Sequence, residues 1–349
     1  MKEIHCDQMT PIERGKALDE GRSVDRLPCT PMITDHASRL IGIQVSDYFY
    51  SSKYMANAHL KAYEIYGHDN IGLSPELVAV AEALGCKLRY FKDDRPQLLE
   101  PVIKRYEDIN KLFIINPAKD GRLHIYLDAL DLIREEVGQE VRVGTGIGGP
   151  FTIAGLLRGT STFMKDIKKN PEFVHSLLNI VTLNIKQYIK FAYDRGYTCS
   201  LGEPLASNSV IGPKCFREFV KPYLIEIVDF YKKLHSKGLS LHICGKTDLI
   251  WQDIADTGVK RFSIDNEMDL EKIKNAVGNK LSLAGNVAPV DVLLYGTKEM
   301  VINSSINCLE KAWDNPKGFS LSSGCTIALN TPPENIKAMM EAARIFNLK

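Results

Sequence analysis

The stretch L-S-L-H-I-C-G-K-T, Leu239 to Thr247, decides how the rest of the chain is read. Leu239, Leu241 and Ile243 alternate with Ser240, His242 and Cys244, the two-residue period of a half-buried strand, and Gly245 ends the run. Side chains two apart on a strand share a face, so one imidazole and one thiol emerge together near its end. The pair is either half of a metal site or two ordinary core residues, since cysteine is among the most buried residue types.

Working outward, similar short runs recur with helical patterns between many of them. They are Leu27 to Ile33, Asn70 to Ser74, Val141 to Ile147, Thr198 to Glu203, Leu239 to Cys244, Arg261 to Asp265, Leu281 to Val287 and Phe319 to Cys325. Apolar residues at spacings of three and four mark the helices, as in P-E-F-V-H-S-L-L-N-I-V from Pro171. The last pattern, P-P-E-N-I-K-A-M-M-E-A-A-R, opens with prolines, which a helix tolerates at its start. Eight strand–helix units with a mostly parallel sheet predict an α/β fold of the (β/α)8 TIM-barrel type, with a doubly wound sheet as the alternative. Residues 1–349 are expected to form a single barrel domain with an N-terminal helical extension. A polar insertion with short strands falls near 87–120.

Composition agrees with a globular chain: 349 residues, 44% hydrophobic and 25% charged. The net charge of +1 sets up no broad field for nucleic acid or an anionic membrane. There is no apolar run long enough to span a bilayer, and M-K-E-I-H-C-D-Q-M-T-P lacks the apolar centre of a signal peptide, so a cytoplasmic location is expected. The eight cysteines, Cys6, Cys29, Cys86, Cys199, Cys215, Cys244, Cys308 and Cys325, are scattered as buried thiols or metal ligands would be. Oligomeric state is left open by the sequence.

Barrel enzymes work at the C-terminal ends of their strands. Those ends carry Asp35 and His36, Ser74 and Glu76, Gly148 and Gly149, Glu203, His242 and Cys244, Asp265 and Asn266, Asn286, and Cys325. His242, Cys244 and Cys325 make a donor set suited to Zn²⁺, which favours imidazole and thiolate and keeps a fourth position open in catalytic sites. A barrel brings such distant positions to one rim; the alternative is a set of buried structural side chains. Glu203 is an acid/base candidate or a weak fourth ligand, against a carboxylate held by backbone amides. Asp265 and Asn286 are candidates for substrate hydrogen bonds or for holding ligands in place, against plain turn chemistry. G-T-G-I-G-G, Gly144 to Gly149, formally fits a dinucleotide fingerprint, but no acid follows at the required distance and Pro150 comes next. Its glycines are read as a tight turn or a close approach to a ligand. Lys246 is read as a solvated side chain.

In these motifs the chain resembles the uroporphyrinogen decarboxylase superfamily. The likeness runs through T-P-I-E-R-G-K-A-L, A-E-A-L-G-C, G-G-P-F-T-I-A-G-L-L-R-G, E-P-L-A-S, G-P-K-C-F-R-E-F-V-K-P-Y-L, L-H-I-C-G, A-G-N-V-A-P and S-S-G-C-T-I-A-L-N-T-P-P-E-N, in the family's order. The decarboxylases' arginine-rich segment near the first strand is replaced by I-T-D-H-A-S-R-L, and their S-D-I-L by S-P-E-L, which disfavours porphyrinogen decarboxylation. H-x-C with S-G-C instead resembles the superfamily's zinc methyltransferases, which exchange methyl groups with a corrinoid protein. That resemblance implies His242, Cys244 and Cys325 as zinc ligands, and a separate corrinoid protein as partner, because the chain lacks the D-x-H-x-x-G of a cobalamin-binding domain. Of the two sub-branches, L-H-I-C-G-K-T-D-L-I-W-Q-D is more similar to the O-demethylase type, which moves methyl from a methoxylated aromatic onto cob(I)alamin. The alternative is transfer from methylcobalamin to the thiol of coenzyme M. A non-catalytic barrel binding a tetrapyrrole is the reading outside enzymes.

Overall fold

The computed structural model describes residues 7–236 and 238–346; Cys6 lies outside them. Its strands are β1 (Asn70–Leu73), β2 (Lys87–Arg89), β3 (Gln97–Glu100), β4 (Arg142–Gly148), β5 (Thr198–Gly202), β6 (Ser240–Ile243), β7 (Arg261–Ile264), β8 (Ser282–Val287) and β9 (Phe319–Ser323). Seven belong to one sheet in the order β1-β4-β5-β6-β7-β8-β9, with helices following the strands in the α/β manner. The fold is the expected (β/α)8 TIM-barrel type. Among the described residues, no helix is long and apolar enough to cross a membrane.

The chain divides into two compact units. The first comprises 7–73, Ala129–Gly144 and 261–346; the second Ser74–Asp128 and Thr145–Lys260. In the first, β7, β8 and β9 run parallel, with Arg261 opposite Ser282 and Asn286 opposite Ser322. Phe262, Ile264, Leu283, Phe319 and Leu321 are all at most 3% exposed, and the helices Leu270–Val277 and Lys298–Ala312 pack against this sheet. Burying each such side chain contributes about 1.5–3 kcal/mol. The alternate positions Arg261, Ser263, Asp265, Ser282, Ala284, Asn286, Ser320 and Ser322, polar apart from Ala284, form the sheet's other face.

The first expected strand, Leu27 to Ile33, is not one. It makes a single parallel bridge, Cys29 to Leu321. Thr30 N–H donates to the Leu321 carbonyl at 2.8 Å, Leu321 N–H to the Pro28 carbonyl at 2.9 Å, and Asp69 N–H to the Cys29 carbonyl at 2.9 Å. The segment therefore links β9 to the residue before β1. Pro28 and Pro31 have no N–H to give, so the ladder cannot extend. What anchors the segment is charge. Asp69 accepts from Cys29 N–H at 2.7 Å and from Arg26 at 2.6 Å, and it pairs with Arg14. Arg14 leaves the helix Pro11–Asp19, which opens on a Thr10–Glu13 capping box.

In the second unit β5 and β6 are parallel neighbours, with Gly202 opposite His242. The short strands expected near 87–120 are the antiparallel hairpin β2–β3, and the helical turn Tyr106–Lys111 follows them.

Candidate metal centre

In β6 the side chains alternate as the sequence reading required. Leu241 and Ile243 are fully buried, whereas Ser240 and His242 are half-buried on the opposite face. Cys244 follows directly, also half-buried, and its Sγ lies 3.2 Å from His242 Nε2. The loop beyond is fastened down. Gly245 has φ +73°, and a side chain there would meet Ser209 Oγ at 2.9 Å, so glycine is needed twice over. Lys246 N–H donates to Ser209 Oγ at 3.2 Å, Asn208 N–H to the Lys246 carbonyl at 2.7 Å, and Leu249 N–H to Asn208 Oδ1 at 3.2 Å. Trp251 Nε1–H reaches Thr247 Oγ1 at 3.0 Å. The Lys246 side chain is exposed. Ser209 and Asn208 were not singled out from sequence. Their signal is the hydroxyl- and amide-rich A-S-N-S turn right after a strand-end acid.

That acid, Glu203, is 0% exposed. Its Oε1 accepts from Phe151 N–H at 2.9 Å, and its Oε2 from Thr152 N–H at 2.9 Å and Thr152 Oγ1–H at 2.6 Å. These are the free donors at the start of the helix Pro150–Arg158, whose first residue is a proline with no N–H. The carboxylate thus caps that helix from within the unit. A Cβ on Gly149 would lie 2.3 Å from Glu203 Cδ, so the last glycine of G-T-G-I-G-G makes room for a side chain of the protein itself. Burial pushes the Glu203 carboxyl up to about 7, the three donors only partly opposing it. Its own N–H donates to the His242 carbonyl at 2.8 Å, so Glu203 touches the candidate site through the backbone of a candidate ligand. Glu76, another strand-end acid, is taken up by Arg122 and Tyr126.

In the first unit the strand-end residues Asp265 and Asn286 meet. Asn286 Nδ2–H donates to the carbonyls of Asp265 at 3.0 Å and Met268 at 2.7 Å, and the Cys308 thiol donates to its Oδ1 at 3.5 Å. Asp265 Oδ1 accepts from Glu267 N–H at 3.0 Å. Asn286, joined to Gly285 by a cis peptide, spends its amide on the loop that carries Asp265. Both contacts are turn chemistry. Next to them, Gly324 N–H donates to the Val287 carbonyl at 2.8 Å, and a Cβ on Gly324 would stand 2.5 Å from Asn266 N. The turn leading into half-buried Cys325 is therefore pressed against Asn266. Its far side is laced to the segment after Cys29: Ile327 N–H donates to the Met32 carbonyl at 3.1 Å, and His36 Nδ1 lies 3.2 Å from the Leu329 carbonyl. His36, a strand-end candidate, is enclosed between that carbonyl and the Tyr66 hydroxyl at 2.9 Å.

Taken by unit, the second thus brings His242 and Cys244 together with Glu203 behind them, and the first brings Asp265 and Asn286 together beside the turn of Cys325. The chain belongs to the uroporphyrinogen decarboxylase (URO-D) family, which matches it over residues 10–346. Within that family it stands with the methyltransferases, and it is an enzyme. A methylated-thiol–coenzyme M methyltransferase of Methanosarcina mazei is 28% identical over 97% of this chain and 90% of its own length. A methylcobamide:CoM methyltransferase of Methanosarcina acetivorans is 29% identical over 97% of this chain and 99% of its own. A solved methyltransferase from Methanosarcina mazei superposes with a TM-score of 0.86 at 27% identity, covering 96% of this chain and 98% of that one. These relatives do not support the expected O-demethylase. They stand closer to the alternative, transfer to a thiol.

Proposed function

We propose that this enzyme is a zinc-dependent methyltransferase that moves a methyl group from a methylcobamide on a separate corrinoid protein to a small thiol. His242, Cys244 and Cys325 hold the zinc. The observation that carries the reading is the imidazole and thiol at the end of β6, 3.2 Å apart and half-buried, a spacing two ligands of one ion accept without rebuilding the strand. Supporting it, His242, Cys244 and Cys325 are, among the described residues, the His/Cys/Asp/Glu group suited to a metal ion. Two thiolates and an imidazole suit zinc better than the harder Mg²⁺ or Ca²⁺.

When bound there, zinc acts as a Lewis acid that lowers the pKa of a ligated thiol, giving a nucleophile at neutral pH. The chain's own residues hold the donors still. The Gly245 turn and its Ser209 and Asn208 contacts fix Cys244, the Glu203 N–H fixes the His242 carbonyl, and the Gly324 turn fixes Cys325. In the transfer, the acceptor sulfur forms a bond to the methyl carbon, and the carbon–cobalt bond breaks with its electron pair staying on cobalt. The thiol proton goes to solvent. In this reading Glu203, Asp265 and Asn286 position these groups and do not touch the reacting atoms.

The test mixes zinc-loaded protein with methylcobalamin and 2-mercaptoethanesulfonate, and in parallel with cob(I)alamin and a methoxyphenol. The proposal expects the cobalamin spectrum to change in the first mixture. Turnover only in the second would restore the demethylase reading.

A further inference from the structure

Arginines enclosed by this protein have carboxylate partners. Arg14 pairs with Asp25 and Asp69, Arg26 with Asp7 and Asp69, Arg122 with Glu76 and Glu82, and Arg158 with Asp166. Arg261 departs from this pattern. It opens β7 on the polar face of the β7–β9 sheet, in register with Ser282. Among the described residues its one hydrogen bond is to Thr30 Oγ1, at the outer limit of 3.5 Å, and no carboxylate pairs with it. Asp265 shares its face but sits four residues on, about 13 Å of strand. The charge felt most at Arg261 is that of Arg142, of the same sign.

The side chain is half-buried, so water reaches it, yet the protein around it is dense enough to push its pKa down to about 10. The guanidinium is thus packed by protein on one side and open to an ion from solvent on the other. Its fork of donors is left almost unused, and an enclosed cation without a counter-charge is costly. Thr30 and Ser282 offer hydroxyls on the same side. Thr30 is itself held by Ser322 Oγ, which donates to its carbonyl at 2.7 Å three residues before Cys325. The missing partner is a small anion with oxygens to fill a planar fork.

We propose that Arg261, with Thr30 and Ser282 beside it, is a binding site for a small oxyanion group such as a sulfonate, carboxylate or phosphate. Two sources share this chemistry: a free inorganic anion, and the anionic tail of the acceptor thiol. The second source rests on the methyltransferase reading above.

The experiment uses the full-length zinc-loaded protein and its Arg261→Gln and Arg261→Lys variants. Ethanesulfonate, a tail without a thiol, and inorganic phosphate are titrated by calorimetry at constant ionic strength. The wild type is expected to bind at least one of them saturably, Arg261→Gln to weaken that binding about tenfold or more, and Arg261→Lys to fall between. The anion-free melting temperature of Arg261→Gln should not drop, because no carboxylate partner is lost. Methyl transfer to 2-mercaptoethanesulfonate and to neutral 2-mercaptoethanol then separates the sources. A fall of about tenfold in the ratio of their kcat/KM values assigns the site to the acceptor's tail. Weakened anion binding with an unchanged ratio assigns it to a separate small anion. A wild type that binds neither probe, or binds them as tightly as Arg261→Gln does, overturns the proposal. If the wild type transfers no methyl at all, the methyltransferase reading falls while the titration still decides the site.

Discussion

Glu203 offers a prediction in which two effects of opposite sign are separated by pH. Its oxygens satisfy the Phe151 and Thr152 amides and the Thr152 hydroxyl, all enclosed. Glu203→Ala leaves two buried amide donors without an acceptor, at about 1–3 kcal/mol each, and above about pH 7, where the carboxyl is ionised, removes a negative charge from a helix start, at about 0.3–1 kcal/mol. Relief from burying the carboxylate returns part of this, so the expected net loss is about 3–5 kcal/mol. Glu203→Gln keeps the shape but offers one acceptor oxygen; its NH2 group must face a donor, and the loss is about 1–3 kcal/mol. The pH dependence gives the sharper reading. Burial raises the folded-state pKa to about 7, above the ordinary 4.5. The folded protein then holds a proton that the unfolded chain has lost between those values. The side chain's contribution is full below about 4.5 and is lost as pH rises through about 7, at about 1.4 kcal/mol for each pH unit in that window. Gln cannot titrate. Urea denaturation of wild type and Glu203→Gln at pH 5, 6, 7 and 8 should show the wild-type advantage shrinking by up to ~3 kcal/mol. An advantage that stays constant or grows with pH would mean the three donors outweigh burial and keep the carboxylate ionised, refuting the reasoning.

Other expectations follow from particular contacts. His59, 1% exposed and hydrogen-bonded to the Tyr48 hydroxyl at 2.8 Å, is held neutral with its pKa lowered by burial to about 3. Its contribution is present above about 6.5 and is lost as pH falls towards 3, so His59→Gln should flatten the acid side of the stability curve; parallel curves would argue against it. Asp69→Asn removes one of the two carboxylates from each of Arg14 and Arg26, which keep Asp25 and Asp7, and should cost about 1–3 kcal/mol. Hydrogen exchange at the Leu321 amide, which donates to Pro28, should quicken in that variant; unchanged exchange would mean Asp69 does not hold the Cys29 segment. Gly324→Ala drives a methyl to 2.5 Å from the Asn266 nitrogen and should displace the Cys325 turn. Chelator competition is expected to show zinc affinity reduced about tenfold or more, the scale of losing support around a ligand; wild-type affinity would detach that turn from the metal.

Much of this site is written locally in the chain. Alternation over Leu239–Cys244 settles which face His242 takes, because a strand's period is two whatever packs on it. Gly245 is readable as a strand-ending turn for the same reason. The role of Glu203 is not local: its partners lie 51 and 52 residues away, and nothing in E-P-L-A-S says whether amides or solvent meet the carboxylate. G-T-G-I-G-G suggested close approach to a ligand, whereas Gly149 makes room for Glu203, since steric need for glycine is the same in both cases. At Leu27–Ile33 the apolar pattern outweighed Pro28 and Pro31, whose missing donors leave only the Cys29 bridge. The likeness to the O-demethylase type draws on residues beyond H-x-C, such as Trp251, which donates to Thr247 in its own loop.

The central claim is that His242, Cys244 and Cys325 hold a zinc ion on which an acceptor thiol is activated. Its most direct test is zinc X-ray absorption spectroscopy of the loaded protein, before and after adding 2-mercaptoethanesulfonate. The account predicts one zinc per chain with two sulfur and one imidazole ligand, gaining a third sulfur on addition of the thiol. Cys244→Ser and Cys325→Ser should each lose one sulfur from that shell. A shell with no cysteine sulfur, or one that the thiol leaves unchanged, would contradict it.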